Sequence, residues 1–339
     1  MKPAGRVLVL GAPFGGEDRA AEAIAEAMQH SSRGALAVEV ADFYRRFAPR
    51  LASLAALAHR TDAAFLPDGS VSLLELTRST PDAPAVRELA AGAVAALESA
   101  VATLRPVAVV STDQVAAAAA AELRGRYPFV AVTVVCDLMP RRMWAHPDAD
   151  LLCVAGDEAR EQAALHGVAW ERIAVTGVPA RGSYTDPPAP ARPRVGAPMS
   201  VAIVAPAERA AVRQALVKDI AGAGADAVDV GTGDPAAVVR AAGLVVCAGG
   251  GELLWSAPAA GVPLLLLGDV PAAQRAGADL LVAAGAALPV RDGAHLADTV
   301  AHLVRRPERV RALREAAAAF GRPAAARSVA ERVAALIRG

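Results

Sequence analysis

The feature that most constrains this chain is an alternation. Short Val/Leu-rich runs recur, each followed by an Ala-rich stretch of helical length. Arg6–Gly11 (RVLVLG), Val107–Ser111, Val130–Val135 and Leu151–Ala155 are apolar at consecutive positions, as strands covered on both faces must be. Ala37–Val40 and Ile173–Thr176 read as further strands. Helices are expected over Asp18–Gln29, Pro84–Leu104, 114–124 and 157–166, while residues 43–76 read as irregular or short-helical. Strands and helices alternating at this spacing predict an α/β fold with a doubly wound parallel sheet.

The pattern stops at 185–198, TDPPAPARPRVGAP, where five prolines make a stiff linker. It then restarts. Strands are expected at Ser200–Val204, Ala227–Gly231, Leu244–Cys247, Leu264–Leu267 and Leu288–Val290. Helices are expected at 207–222, 234–242, 252–260, 272–284 and 294–304, with two more, 307–320 and 323–337, closing the chain. The predicted organisation is a first Rossmann-like domain over 1–184, the linker, and a second over 199–339. A length of 339 residues with 54% apolar content suits two cores. Two such halves in tandem predict a cleft, with ligands at the carboxyl ends of strands.

Charge and cysteine usage narrow the function classes. Basic and acidic residues balance at 35 each, which argues against a dedicated nucleic-acid binder. The cysteines, Cys136, Cys153 and Cys247, are dispersed and form no zinc or disulfide spacing, which fits a reducing, cytoplasmic setting. Leu244–Gly268 is apolar, but Gly249–Gly251, Glu252, Pro258 and Pro263 interrupt it before a membrane span is reached. The apolar stretch Leu51–Leu74 reads first as ordinary helical packing and second as a contact for a lipid or membrane face.

Two glycine-rich turns leave a strand and enter a helix. The first is Gly11-Ala-Pro-Phe-Gly15-Gly16-Glu17-Asp18. It is neither a dinucleotide fingerprint, since Pro13 stands where glycine is needed, nor a P-loop, since Glu17-Asp18 replace Lys-Ser/Thr and would repel phosphate. Read alone, it is better explained as a tight turn with Asp18 or Glu17 capping the helix. The second, Gly249-Gly250-Gly251-Glu252, lets amides converge on an anion such as a diphosphate, while the carboxylate can accept from sugar hydroxyls. Asp137 ends a strand, where a carboxylate acts as general base, substrate anchor or turn cap. Arg141, Arg142 and Trp144 follow it and either line the site or form a solvated loop. Asp148-Ala-Asp150 precedes a strand instead of ending one, and the six histidines show no paired spacing, so no metal site is expected. No nucleophile elbow is present.

In order and spacing, four segments resemble the GT-B glycosyltransferases, and within them the monogalactosyldiacylglycerol synthase/MurG-like group. They are RVLVLGAPFGGEDRAAEAIAEAM with VEVADFYRRFAP; RPVAVVST with VAVTVVCDLMPRRMWAHPDADLLCVAGDEAR; GVAWERIAVTGVPAR; and AAGLVVCAGGGELLWSAPAAGVPLLLLGDVPAAQRAGADLLVAAGAA. The resemblance implies an inverting, metal-independent transferase. Its first half would take a lipid or small-molecule acceptor, often at a membrane face, and its second a nucleotide-sugar donor, typically UDP-linked. No other cofactor is implied. Glu17 and Asp137 are the expected base candidates. Gly15, Gly16, Gly249, Gly250, Gly251, Glu252, Ser256 and Gln274 are the expected donor-side groups, with Pro271 and Ala273 beside Gln274. Where the group has a loop histidine, a second histidine, a ribose-binding glutamate, a Gln-Glu pair and an Asn, this chain has Glu17, Arg141, Ser256, Ala273-Gln274 and Gly277. These exchanges also admit a relative that binds without transferring. An epimerase of the same fold would need a carboxylate–His–Arg cluster that the sequence does not display, and the first turn disfavours a nicotinamide dehydrogenase.

Overall fold

A computed structural model of the chain describes residues 5–53, 55–56, 84–146, 148–185, 198–205, 210–231, 234–271 and 274–338. The chain forms two compact units. The first comprises residues 1–179 and 324–339, the second residues 180–323.

The first unit opens with β1 (Gly5–Gly11), α1 (Glu17–Ser32), β2 (Leu36–Asp42) and the short α2 (Phe43–Arg46). It continues with α3 (Pro84–Leu104), β3 (Ala108–Ser111), α4 (Gln114–Arg124), β4 (Val130–Val134), β5 (Leu151–Val154), α5 (Asp157–Leu165) and β6 (Ile173–Val175). The six strands are parallel in the order β2-β1-β3-β4-β5-β6. Strand alternation sends Leu8, Leu10, Val109 and Ala131 to one face, against Leu97 and Val101 of α3 and Leu123 of α4. Val7, Val9, Val110, Val132 and Val134 go to the other, against Ile24 and Met28 of α1.

The second unit begins with α6 (Gly182–Thr185) and runs through β7 (Ser200–Val204), α7 (Ala210–Gly222), β8 (Asp226–Asp229), α8 (Ala236–Ala241), β9 (Leu244–Cys247) and α9 (Leu253–Ala259). It ends with β10 (Leu264–Leu267), α10 (Arg275–Ala283), β11 (Ala287–Val290), α11 (Gly293–Val304) and α12 (Pro307–Phe320). Its five parallel strands run β11-β10-β9-β7-β8. Val201, Ile203, Leu244, Val246 and Leu265 pack against Leu216 and Ile220 of α7 and Leu296, Val300 and Leu303 of α11. The apolar stretch Leu244–Gly268 is thus β9, α9 and β10, and no described helix is long and apolar enough to cross a membrane.

The last helix corrects the sequence-based division. α13 (Ala325–Arg338) belongs with the first unit, where Val329, Ala330 and Val333 complete the core beside α1. Each valine, removed fully from water, contributes about 1.5–3 kcal/mol of transfer free energy. The contact boundary falls at 179/180, five residues before the predicted one. Residues 186–197 of the predicted linker, and most of the Leu51–Leu74 stretch, lie outside the described residues.

Candidate functional site

The first five strands of each sheet follow the same order. In the first, the second strand lies on one side of the first strand and the remaining strands on the other, so the order reverses between β1 and β3. In the second it reverses between β7 and β9. Connections leave such a point in opposite directions, and the space outside the carboxyl ends is where ligands of open α/β sheets bind.

At the first switch point, the loop after β1 meets the end of β3. Gly15 and Gly16 take left-handed backbone, with φ of 59° and 98°. Gly16 precedes α1 and has no side chain, so neither Glu17 nor Asp18 caps the helix as expected; both sit inside its first turn, and Asp18 Oδ1 accepts from the adjacent Arg19 N–H. The Thr112 hydroxyl ties the loop down, lying 2.7 Å from the Glu17 carbonyl and 3.2 Å from that of Leu10. These contacts fix Glu17 against β3.

The carboxyl beside it is Asp113, 5% exposed. Its Oδ1 accepts from the Val115 and Ala116 amides at 2.9 and 2.8 Å and so caps α4. Its Oδ2 accepts from the Tyr44 hydroxyl at 3.3 Å, and the Glu17 carboxyl hydrogen-bonds the same side chain. Burial, followed by the negative charges of Asp113 and Asp137, holds the Glu17 carboxyl well above the usual range, with Arg141 partly opposing. Burial raises Asp113 too, against four hydrogen bonds that favour its anion. The two carboxyls are therefore coupled, and of the pair Glu17 is the one whose neutral form its surroundings favour more. The Tyr44 hydroxyl, pushed upward by burial and then by Asp113, stays a donor.

Asp137 lies within electrostatic reach of Glu17. Its Oδ2 accepts from the Trp144 indole N–H at 3.0 Å and stands 3.8 Å from the Arg141 guanidinium. Trp144 is fully buried and Arg142 exposed, so of the three residues after Asp137 only Arg141 and Trp144 build the site. The Cys136 thiol, raised well above its ordinary value by burial and then by Glu17, Asp137, Asp113 and Asp18, stays protonated and is no nucleophile. Ser111 Oγ, Gln114 Oε1 and Arg141 Nε are buried with no hydrogen-bond partner among the described residues. Asp150, in the discounted Asp-x-Asp, accepts from Arg124 Nε at 2.7 Å and from the Ala131 amide at 2.8 Å. Among the described residues no group of three or more His, Cys, Asp or Glu is arranged to hold a metal ion.

At the second switch point, Gly249, Gly250 and Gly251 all have positive φ, at 118°, 72° and 79°. The turn is already occupied. Gln274 Oε1 accepts from the Gly251 N–H at 2.7 Å and stands where a side chain on Gly250 would go. Glu252 is 8% exposed and faces Arg181, whose Nε lies 3.9 Å from its carboxylate. Asp234 holds that guanidinium at 2.9 Å. Ser256 is different: it lies inside α9, fully buried, and its Oγ finds no partner among the described residues. Ala273 lies outside the described residues. The structure thus gathers Glu17 and Asp137 beside the Gly15-Gly16 loop, and Glu252 and Gln274 around Gly249–Gly251. Sequence reasoning missed Asp113 and Tyr44. Asp113 carries a readable signal, a carboxylate just after a buried strand; Tyr44 carries none.

The model of the monogalactosyldiacylglycerol (MGDG) synthase family matches residues 17–180, most of the first unit's main segment. Among solved structures, the chain is similar to the glycotransferase of kitacinnamycin, at TM-score 0.63 and 16% identity over 98% of this chain and 100% of that one. It is similar to MurG of Acinetobacter baumannii, at TM-score 0.61 and 14% identity over 98% and 99%. It is also similar to the UDP-GlcNAc 2-epimerase of Neisseria meningitidis bound to UDP-GlcNAc, at TM-score 0.59 and 11% identity over 98% and 100%. No curated protein matches the sequence. These likenesses give the fold, two Rossmann-like parallel-sheet units of the GT-B type, and they agree with the resemblance to the MGDG synthase/MurG-like group.

Proposed function

We propose, from a GT-B fold whose first unit matches a galactolipid-synthase family model, that this protein transfers a sugar from a UDP-linked donor to a hydroxyl of a lipid or small-molecule acceptor, with inversion. The observation that carries this reading is the Glu17–Asp113 carboxyl pair at the first switch point. A carboxylate of raised pKa is a stronger base than an ordinary one, which is what abstraction of a hydroxyl proton needs. In the proposed step Glu17, in its ionised form, takes the acceptor proton as the acceptor oxygen bonds to the anomeric carbon. The bond from that carbon to the diphosphate breaks, and UDP leaves. Asp113 and Tyr44 position Glu17. Asp137, held by Trp144 and Arg141, anchors the acceptor through another polar group.

On the donor side, the amides of Gly249–Gly251 and the Arg181 guanidinium would stabilise charge developing on the diphosphate. Gln274 must first release the Gly251 amide. Calorimetric titration with UDP tests the reading: binding with a dissociation constant below about 1 mM is expected. No heat at millimolar UDP, UMP or UDP-sugar would end it.

One observation favours a second reading, a GT-B relative that binds without transfer. Ser256 is shut inside α9, and Gln274 satisfies the turn's own amide, so two of the expected donor-side groups face inward. Sugar transfer abolished by Glu17→Gln would exclude it.

A further inference from the structure

The floor of the first switch point holds more polar atoms than its own side chains satisfy. Ser111 ends β3, Asp113 follows it and Gln114 opens α4; all three are at least nine-tenths buried. Asp113 is satisfied by two amides and the Tyr44 hydroxyl. Ser111 Oγ and Gln114 Oε1, on either side of it, find no partner among the described residues. A buried polar atom left unpaired is costly, so such atoms mark where a ligand supplies the missing bond. Gln114 Oε1 accepts and Ser111 Oγ can accept, so both call for a ligand that donates. Arg141 Nε is the converse, a buried donor without an acceptor among the described residues. The walls are open: Glu17, Asp137 and Arg141 are half-buried, so a ligand reaches them from solvent.

The titratable groups of this space lean to one sign. Glu17 feels the charges of Asp113 and Asp137, and Cys136 feels those of all three and of Asp18. The opposing cation is Arg141, 3.8 Å from Asp137. Tyr44 and Cys136 are neutral. Four carboxyls against one guanidinium leave the site short of positive charge, in a chain whose net charge is zero. A phosphate or carboxylate is repelled here. A neutral alcohol meets the unpaired atoms but not the charge.

We infer that the acceptor taken at the first switch point is a polyhydroxylated amine, an amino sugar or amino polyol, with its ammonium between Glu17 and Asp137 and its hydroxyls on Ser111, Gln114 and Arg141. An ammonium brings three donors and one positive charge. Neighbouring hydroxyls donate to the two buried acceptors and accept from Arg141 Nε. The inference rests on the transferase reading for the ligand's role as acceptor, not for its charge. It also supplies the ionised base that the transfer needs. In the empty site the surroundings favour neutral Glu17. A cation within about 4–6 Å favours the carboxylate, so the bound ammonium drives one proton from Glu17 to solvent. The Glu17 carboxylate then takes the acceptor's hydroxyl proton as that oxygen bonds to the anomeric carbon, and UDP leaves with the electron pair of the broken bond. The ammonium keeps its protons; having no lone pair, it is not the nucleophile.

Calorimetric titration of the full chain with three ligands of one shape tests it: 1-amino-1-deoxyglucitol, glucitol and gluconate, at about pH 6.5, where the alkyl amine is protonated. The amine is expected to bind at least about tenfold more tightly than glucitol, and gluconate more weakly than either. Titrations in phosphate and in MOPS, which differ in heat of ionisation, should show proton release when the amine binds, and Glu17→Gln should abolish that release. Asp137→Asn should weaken the amine about tenfold and leave glucitol within about twofold. Gln114→Leu should weaken both alike. Equal affinity for the amine and glucitol, a preference for gluconate, or no binding of the amine at about 50 mM would each overturn the inference. A separate titration with UDP keeps the two readings apart. UDP binding beside any of those three results leaves the transfer reading standing, whereas amine binding without UDP binding upholds the charge of the site and ends the transfer reading.

Discussion

The two sheets share the order of their first five strands and have one switch point each, yet the loops held there are chemically opposite. The first presents Glu17, Asp113 and Asp137 to a single space. The second presents three consecutive glycines and backbone amides. The same βαβ connection serves both because the fold fixes only where the loop emerges. Side chains then decide whether the space repels an anion and holds a proton, or attracts an anion and gives up none. Under the proposed transfer, the first space would activate the acceptor and the second would receive the diphosphate.

The comparison breaks most sharply at Glu17. Glu17→Gln keeps a donor toward Asp113 but cannot take a proton. Sugar transfer is expected to fall by about 10²–10⁴-fold while UDP binding by calorimetry is unchanged. Transfer that survives Glu17→Gln and dies in Asp137→Asn would move the base to the other carboxylate. The pH dependence has a defined sign. Because the folded-state pKa of Glu17 lies above its ordinary value, kcat/KM should rise as pH passes through that raised value, not level off in the usual carboxylate range. Stability runs the other way. Folding takes up a proton here, so the contribution is whole below the unfolded pKa and is lost as pH climbs through the folded one. Thermal melts of Glu17→Gln at several pH values should show a weaker loss on the alkaline side than wild type.

Asp113 sharpens the comparison from the packing side. Asp113→Ala removes the α4 cap and leaves Glu17 and Tyr44 without their shared acceptor. Urea denaturation is expected to show a loss of about 2–3 kcal/mol in the first unit, the cap supplying roughly 1 of it. Asp113→Asn keeps an acceptor for the amides and should recover much of the stability, but not the transfer rate. The matching change in the second unit, Gly250→Ala, meets Gln274 Oε1 and forces a side chain onto φ of 72°. It should cost about 1–2 kcal/mol and weaken UDP binding about tenfold.

The reach of the sequence differs between the two switch points for a physical reason. Consecutive apolar positions such as Val7–Leu10 and Leu264–Leu267 announce buried parallel strands, and every predicted strand is present. Gly249–Gly251 announce their turn because only glycine adopts that backbone easily. Asp113 and Tyr44 meet across 69 residues, a distance no local pattern encodes. The capping role foreseen for Glu17 or Asp18 failed because Gly16, left-handed at 98°, had already taken the position. Ser256 is expected on the donor side only through the family resemblance, whereas its position inside α9 puts its hydroxyl in the core. The return of α13 to the first unit is a long-range contact that an amphipathic pattern states without naming its partner.

The smallest expected effect bears on the donor turn. In the first unit the loop's key side chain is held ready by Thr112, Asp113 and Tyr44. In the second, Gln274 occupies the amide that a diphosphate oxygen would need, at 2.7 Å, and so acts as an internal stand-in for the anion. Binding must exchange one acceptor for another on the same N–H, and a net hydrogen bond is worth about 0.5–1.5 kcal/mol. Removing the competitor should therefore help. Gln274→Ala is predicted to tighten UDP binding by about two- to tenfold in calorimetry, with the gain mostly in enthalpy. If the variant binds UDP more weakly instead, Gln274 contacts the nucleotide directly. The inward hydrogen bond would then be its resting position, not a barrier.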